Sequence, residues 1–294
     1  MPKVSVIIPT YNRKSLLKPC LDSFAIQTYP KSHFEVIVVD DGSSDGTDLF
    51  IKEYRRDLKI NLSYFRQVNG GPAKARNIGI KNAKWDFIAF TDDDCEVDRN
   101  WLMEIIKDFS SEEIAGVGGM VISKNNDTLS QYMDYYRILQ PPGEGDGVKY
   151  LVTANACYRK KVLLEVDGFS EEIKNPGGED PDLSYKIKAL SHRLVYNPLA
   201  RVYHNHKQDL KSFYRTFYNY GRGVAYLNNK WGEKAGGNYQ SNTPVFFHAL
   251  NIVPLIGQIL SLQRRGVGVR LSILFASLNH IARFAHASGV RRGY

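Results

Sequence analysis

Cysteine is scarce in this 294-residue chain, and Cys20, Cys95 and Cys157 stand far apart with no CxxC or Cys/His spacing. That excludes a disulfide framework and a structural zinc site as the basis of the fold. A glycine fingerprint is also missing after the first apolar run, where Pro9-Thr-Tyr-Asn-Arg13 stands instead. Gly143-Glu-Gly-Asp-Gly147 lies in a loop with the wrong spacing, so a dinucleotide-dependent dehydrogenase is not the expected class. There is no internal repeat and no low-complexity tract. The opening Met1-Pro-Lys-Val-Ser-Val lacks a charged n-region, a long h-region and a cleavage site, which sets the expectation of a chain working in a reducing cytoplasm. Long apolar runs are few. Residues 245–262 approach membrane-spanning length but contain His248, Asn251, Pro254 and Gln258, leaving a borderline span.

Charge is unevenly spread. The 39 basic residues exceed the 31 acidic ones, yet Arg264, Arg265, Arg270, Arg283, Arg291 and Arg292 fall in an otherwise apolar C-terminal segment, while the acids crowd the first two-thirds. A nucleic-acid stripe would run through the core domain, so nucleic acid is not the expected partner. From Arg270 to His286, Leu271, Leu274, Phe275, Leu278, Ile281, Ala282 and Ala285 share one helical face opposite Arg270, Asn279, His280 and Arg283. Such a helix suits a peripheral membrane interface, which places the chain at the inner face of the cell membrane. Packing on the core or on a second subunit is the competing explanation.

Val4-Ser-Val-Ile-Ile8 and Glu35-Val-Ile-Val-Val39 are continuous β-branched runs, as in parallel strands covered on both faces. Between them Leu16, Leu17, Cys20, Leu21 and Phe24 recur at helical spacing, with Pro19 implying a kink or a late start. A helix after Asp45, a strand over 62–65, a helix over 73–82 and a strand over 86–90 continue the alternation, so the expected class is α/β. Helices to Phe109 and over 181–190, strands over 115–123 and 151–157, and an aromatic helix over 210–228 follow. A Gly/Asn/Ser linker is expected at 236–242. Ligands of βαβ sheets bind beyond the carboxyl ends of the strands, which makes the polar residues there the ones to inspect.

Asp92, Asp93 and Asp94 directly follow an apolar strand. Three adjacent carboxylates are costly unless a cation neutralises them, and their oxygens suit Mg²⁺ or Mn²⁺. A solvated acidic turn is the alternative. A second strand ends in Asp40 and Asp41, which could accept hydrogen bonds from a base or ribose, while Asp45 could simply cap the next helix. The first strand ends in Pro9, Thr10, Tyr11 and Arg13, adding an aromatic face and polar atoms at the same edge.

The segments VSVIIPTYNR, VVDDGSSDGT, GGPAKARNIGI, FTDDDCEV and GGEDPDLSYKI, in this order over about residues 3–206, resemble the family 2 glycosyltransferases. The resemblance implies a GT-A fold, a mostly parallel sheet flanked by helices, with a helical C-terminal extension. It divides the chain into a catalytic domain over 1–206, an aromatic helix and linker over 207–240 and an amphipathic extension over 241–294. It implies inverting transfer of a sugar from a nucleotide diphosphate donor, UDP leading, to a glycan or lipid-linked acceptor. Carried over by position, Pro9, Thr10, Tyr11, Arg13, Asp41 and Arg76 surround the nucleotide, with Asp92 or Asp93 nearer the ribose. Arg76 also stands at an expected helix start, where a cation and free N–H groups favour an anion. Asp94, with Asp92, is implied as a metal ligand, and His204 in Val202-Tyr-His-Asn-His206 completes the site, tilting it towards Mn²⁺. His206 competes for that assignment. Asp180, in the first turn of a helix that Pro181 suits, is implied as the base, and Glu179 helps hold the acceptor; a plain helix cap is the alternative. A sugar nucleotidyltransferase, which lacks its glycine- and basic-rich loop here, and a non-catalytic nucleotide-binding membrane protein are the other classes considered.

Overall fold

A computed structural model describes residues 1–56, 60–143, 147–206, 208–232 and 252–293. The expected linker at 236–242 and the start of the apolar stretch at 245–262 lie outside them.

The apolar runs become central strands because they can be buried on both faces. β1 (Val4–Thr10) leads through α1 (Lys14–Ala25) to β2 (Phe34–Asp40), and both strands are buried throughout. α2 (Thr47–Tyr54), β3 (Asn61–Arg66), α3 (Pro72–Asn82) and β4 (Phe87–Phe90) complete the regular half. β1 pairs in parallel with β2 and β4, and β2 with β3. Thr10 is opposite Asp40 in that register, so the polar strand ends share one edge. Side chains alternate across the sheet. Val4, Val6 and Ile8 meet Leu17, Cys20, Leu21 and Phe24 of α1 in one core, and Ile7 meets Ala75 and Ile80 of α3 in the other. Gly79 permits the closest α3 approach, since a Cβ there would lie 2.4 Å from Ile7 Cγ2. α1 begins at Lys14, so Pro19 sits inside the helix and does not delay it.

The second half is mixed rather than mostly parallel. It comprises β5 (Cys95–Val97), α4 (Trp101–Lys107), β6 (Ile114–Ser123), α5 (Thr128–Tyr135), β7 (Ala156–Arg159), α6 (Lys160–Glu165), α7 (Glu179–Ala189) and β8 (Arg193–His204). The eight-stranded sheet runs β3-β2-β1-β4-β7-β6-β8-β5, with β7 antiparallel to β4 and β6, and β5 antiparallel to β8. The strand expected over 151–157 is shorter. Its first part is loop with a 3-10 turn at Thr153–Asn155, because the side chains there bond other elements instead of alternating across a sheet. Asn155 donates to Met120 O and Ala200 O at 2.8 Å each and accepts from Trp101 Nε1 at 2.8 Å, clamping the irregular β6–β8 register beside Gly119 and Met120.

The chain divides into two compact units. The sheet and its helices, residues 1–124, 139–175 and 179–205, form one. Residues 125–138 and 176–178, inside the span 1–206 expected as one domain, cluster instead with residues from 206 onward. This second unit contains α5, α8 (Leu210–Trp231), α9 (Ile252–Arg264) and α10 (Val269–Arg292). Tyr132 meets Phe213, Phe217 and Phe275 edge-on, so part of the aromatic run is packing. Gly221 and Gly289 let α8 and α10 touch through backbone: a Cβ at either would lie 2.0 Å from a carbonyl of the other helix. The α10 face is partly used, with Phe275, Leu278, Ala282 and Ala285 buried but Leu274 exposed. Among the described residues no helix is long and apolar enough to cross a membrane.

Asn155→Ala should lower stability by about 3 kcal/mol, because two buried carbonyls and an indole N–H lose their partner. Denaturant unfolding measures this, and a loss below about 0.5 kcal/mol would contradict the clamp.

Candidate active site

The turn after β4 carries the acids because the sheet ends there and the chain must leave the core. Asp93 points inward and is 2 % exposed. Its Oδ2 accepts from Thr10 Oγ1 at 2.7 Å, and its Oδ1 from Arg13 Nη1 at 2.9 Å. The same guanidinium nitrogen reaches Asp94 Oδ2 at 2.8 Å. Burial, with Asp94 close by, raises the proton affinity of Asp93, while Arg13 and Thr10 oppose that rise.

Arg76, on the buried face of α3, is 4 % exposed. It donates through Nη2 to Asp92 Oδ1 at 2.9 Å and through Nη1 to Glu179 Oε1 at 3.3 Å, and it lies over the Phe169 ring at 5.6 Å. One buried cation thus joins the turn after β4 to the first turn of α7. Beside Glu179, Asp180 accepts from Thr153 Oγ1 at 2.7 Å and from Thr153 N at 3.0 Å. Burial first and Glu179 second raise its proton affinity above that of an ordinary aspartate, against Arg76 and Thr153.

Asp41 has other partners than those expected. Its Oδ1 accepts from Gln67 Nε2 at 2.5 Å and Gly70 N at 2.7 Å, and its Oδ2 from Asn69 Nδ2 at 3.0 Å and Gly71 N at 2.9 Å. These fill the positions a carboxylate offers, so Asp41 shapes the 67–71 loop that leads into α3. Gly71 has φ +92°, and a Cβ there would sit 2.4 Å from Lys174 O, a position for glycine alone. Asp40 accepts from Ser43 N and Tyr64 Oη. Asp45 accepts from Thr47 N and from Lys14 N, serving the starts of two helices. Pro9 and Thr10 are buried at the end of β1, while Tyr11 is 48 % exposed and offers its ring to solvent.

The antiparallel register sets Cys95 opposite His204, and His204 Nε2 lies 3.4 Å from Asp94 Oδ1. Donor atoms of Asp94, Cys95 and His204 all fall within 4.8 Å of one another. Cys95 is fully buried and burial raises its thiol well above the ordinary range, so the oxygen and nitrogen of Asp94 and His204 are the fitting pair. Imidazole with carboxylate suits Mn²⁺ better than Mg²⁺. Asp92, Asp93, Asp94, Glu179 and Asp180 face Arg13 and Arg76, a surplus of negative charge that a divalent ion would offset.

Every expected site residue except the competing His206, which falls in the second unit, therefore stands in one unit of the fold. Thr153, Gln67 and Phe169 were not singled out from the sequence. Nothing local marks Thr153, which sits in a run that reads as strand, whereas Asn69-Gly70-Gly71 is a visible turn signal.

The acids and arginines thus gather beyond the parallel strand ends, where the ligands of such α/β sheets bind. Residues 5–166, more than half of the chain, match the model of Glycosyl transferase family 2, and the chain belongs to that family. Its fold is GT-A. Over 202 residues it is 40 % identical to the poly(ribitol-phosphate) beta-N-acetylglucosaminyltransferase TarS of Staphylococcus aureus, covering 66 % of this chain and 34 % of TarS. The chain thus spans about a third of that curated relative. Two solved structures share the fold. The mannosyltransferase PcManGT from Pyrobaculum calidifontis with GDP-Man and Mn²⁺ superposes with a TM-score of 0.72 at 18 % identity, covering 99 % of this chain and 87 % of that one. TarS residues 1–349 with UDP-GlcNAc give 0.59 at 20 % identity, covering 99 % and 91 %.

Arg76→Met should destabilise the protein by about 3–5 kcal/mol, because the buried Glu179 and the partly buried Asp92 lose its guanidinium. Adding Glu179→Gln should recover part of that loss, read as a coupling in a denaturation cycle. Strict additivity of the two changes would show that the Arg76–Glu179 contact carries no energy.

Proposed function

We propose that this chain transfers a sugar from a nucleotide diphosphate donor, UDP-linked in the leading case, to an acceptor hydroxyl of a glycan or lipid-linked saccharide, with inversion at the anomeric carbon. The observation that carries this reading is the Asp92–Arg76–Glu179 bridge. It holds a cation-seeking acid cluster beside a carboxylate of raised proton affinity, Asp180. Donor site and base are thereby parts of one charged network. The complexes named for the neighbours, GDP-Man with Mn²⁺ and UDP-GlcNAc, support a nucleotide-sugar donor.

In this reading the nucleotide lies along Pro9, Thr10 and the exposed Tyr11 ring, against the loop that Asp41 shapes. A base N–H meets Asp41 by exchanging with the Gln67 amide. Asp92 or Asp93 faces the ribose, and Arg13 and Arg76 face the diphosphate. Asp94 and His204, with Asp92 at hand, would hold Mn²⁺ or Mg²⁺, which supplies charge stabilisation of the leaving diphosphate. Asp180 accepts the acceptor's proton as its oxygen attacks the anomeric carbon; the carbon–oxygen bond to the diphosphate breaks and the nucleoside diphosphate departs. A carboxylate of raised proton affinity suits that role near neutral pH. Glu179, already bonded to Arg76, orients the acceptor side. Catalysis belongs to the first unit in this assignment.

The test is nucleoside diphosphate release from UDP, GDP and dTDP sugars with and without Mn²⁺, with NMR reading the product anomer. Expected are one preferred donor, metal dependence, an inverted product, and loss of about 100-fold or more on Asp94→Ala and on Asp180→Asn. Full turnover by Asp180→Asn would remove the base assignment, and a retained anomer would remove the inverting mechanism. Donor binding without turnover in any acceptor extract would favour the non-catalytic binder.

The extension is assigned to an anionic membrane surface. Ile256, Leu260, Ile273 and Phe284 are exposed on helices that also carry Arg264, Arg270 and Arg283, and residues 252–293 contain no acid. Co-sedimentation of the full chain with phosphatidylglycerol vesicles should be strong at low salt and weaker at high salt. Equal recovery with neutral vesicles would contradict the electrostatic part.

A further inference from the structure

We propose that Thr153 is a positioning residue that aims Asp180 and sets its proton affinity; this rests on the reading of Asp180 as the base. Both oxygens of Asp180 are held by this one residue, Oδ1 by its hydroxyl at 2.7 Å and Oδ2 by its backbone N–H at 3.0 Å. Two donors from one residue fix the plane of the carboxyl group as well as its place. Thr153 is itself 1 % exposed.

The turn that carries it is tied on three sides. Leu151 N donates to Ser184 Oγ at 3.1 Å, and Ser184 stands four residues after Asp180, on the same face of α7. Thr91 Oγ1 donates to Ala154 O at 3.0 Å, joining the turn to the residue immediately before Asp92. Asn155 is clamped to β6 and β8 as described. The segment from Leu151 to Asn155 is therefore a rigid spacer between the acid cluster and the base. It holds the base at a set place relative to the donor-binding acids, which an in-line displacement requires.

The hydroxyl also acts on charge. Hydrogen bonds donated to a carboxylate favour its ionised form. Burial and Glu179 on the same helix stand against ionisation of Asp180, while Arg76 of α3 and Thr153 favour it, and the neighbouring Tyr158 of β7 feels the charge of Asp180. Removing the hydroxyl raises the proton affinity further. A base must be deprotonated to work, so the acidic limb of the rate profile moves to higher pH.

The test is a ¹³C NMR titration of the Asp180 carboxyl in the full chain, assigned by loss of its signal in Asp180→Asn. Thr153→Val and Thr153→Ser are compared with the wild type. Thr153→Val should raise the midpoint by about one pH unit, and Thr153→Ser should restore it. With UDP-GlcNAc as probe, Thr153→Val should lower kcat roughly 10- to 100-fold with little change in donor KM, and shift the acidic limb in the same direction. An unchanged midpoint, or a lower melting temperature and rate with no shift of midpoint or limb, overturns the proposal and leaves Thr153 a plain structural contact. If instead Asp180→Asn turns over normally while the midpoint still moves in Thr153→Val, the base reading fails, and the positioning of that carboxyl stands as a property of the fold alone.

Discussion

The site is organised around neutralising carboxylates that the fold has forced together. Asp92, Asp93 and Asp94 leave the end of β4, and Glu179 and Asp180 open α7; their convergence is unfavourable without cations. Arg76 supplies one from α3 and touches both groups, and Arg13 supplies another from the start of α1. Among the described residues, two arginines stand against five carboxylates. Burial first, with Asp94 beside Asp93 and Glu179 beside Asp180, raises the proton affinities of Asp93 and Asp180, and a divalent ion would offset part of the remaining charge.

The rest of the first unit is scaffolding for that convergence. The parallel β1, β3 and β4 bring Thr10, the 67–71 loop and the acids to one edge. The antiparallel β5–β8 pair returns His204 to Asp94, and Asn205 N donates to Asp94 O at 2.8 Å, fixing the main chain around the same aspartate. Asn155 holds the seam where the β6–β8 register shifts. Its place at the end of the turn that carries Thr153 means that packing the irregular half of the sheet and aiming Asp180 are one structural task.

How much was legible follows from where the information is stored. The strands β1, β2 and β4 were readable because residues buried on both faces leave continuous apolar runs, and the acids after them stood out against those runs. The segment over 151–157 misled for a physical reason. Leu151, Val152 and Ala154 look like strand, but Thr153 and Asn155 spend their hydrogen bonds on Asp180, Met120 and Ala200, tertiary partners far away in sequence. Asp41 was legible as a strand-end carboxylate, yet its donors come from a loop more than twenty residues on. The grouping of 125–138 with the C-terminal helices was invisible because rings such as Tyr132 and Phe275 find each other only through packing.

The most direct measurement of the central claim is a crystal structure of the full chain with Mn²⁺ and UDP, with the metal located by its anomalous scattering. The ion is expected at Asp94 and His204, the diphosphate between it and the two arginines, and the uracil beside Tyr11 and the 67–71 loop. Metal and nucleotide bound away from the strand ends, with Arg13 still closed on Asp93 and Asp94, would contradict it.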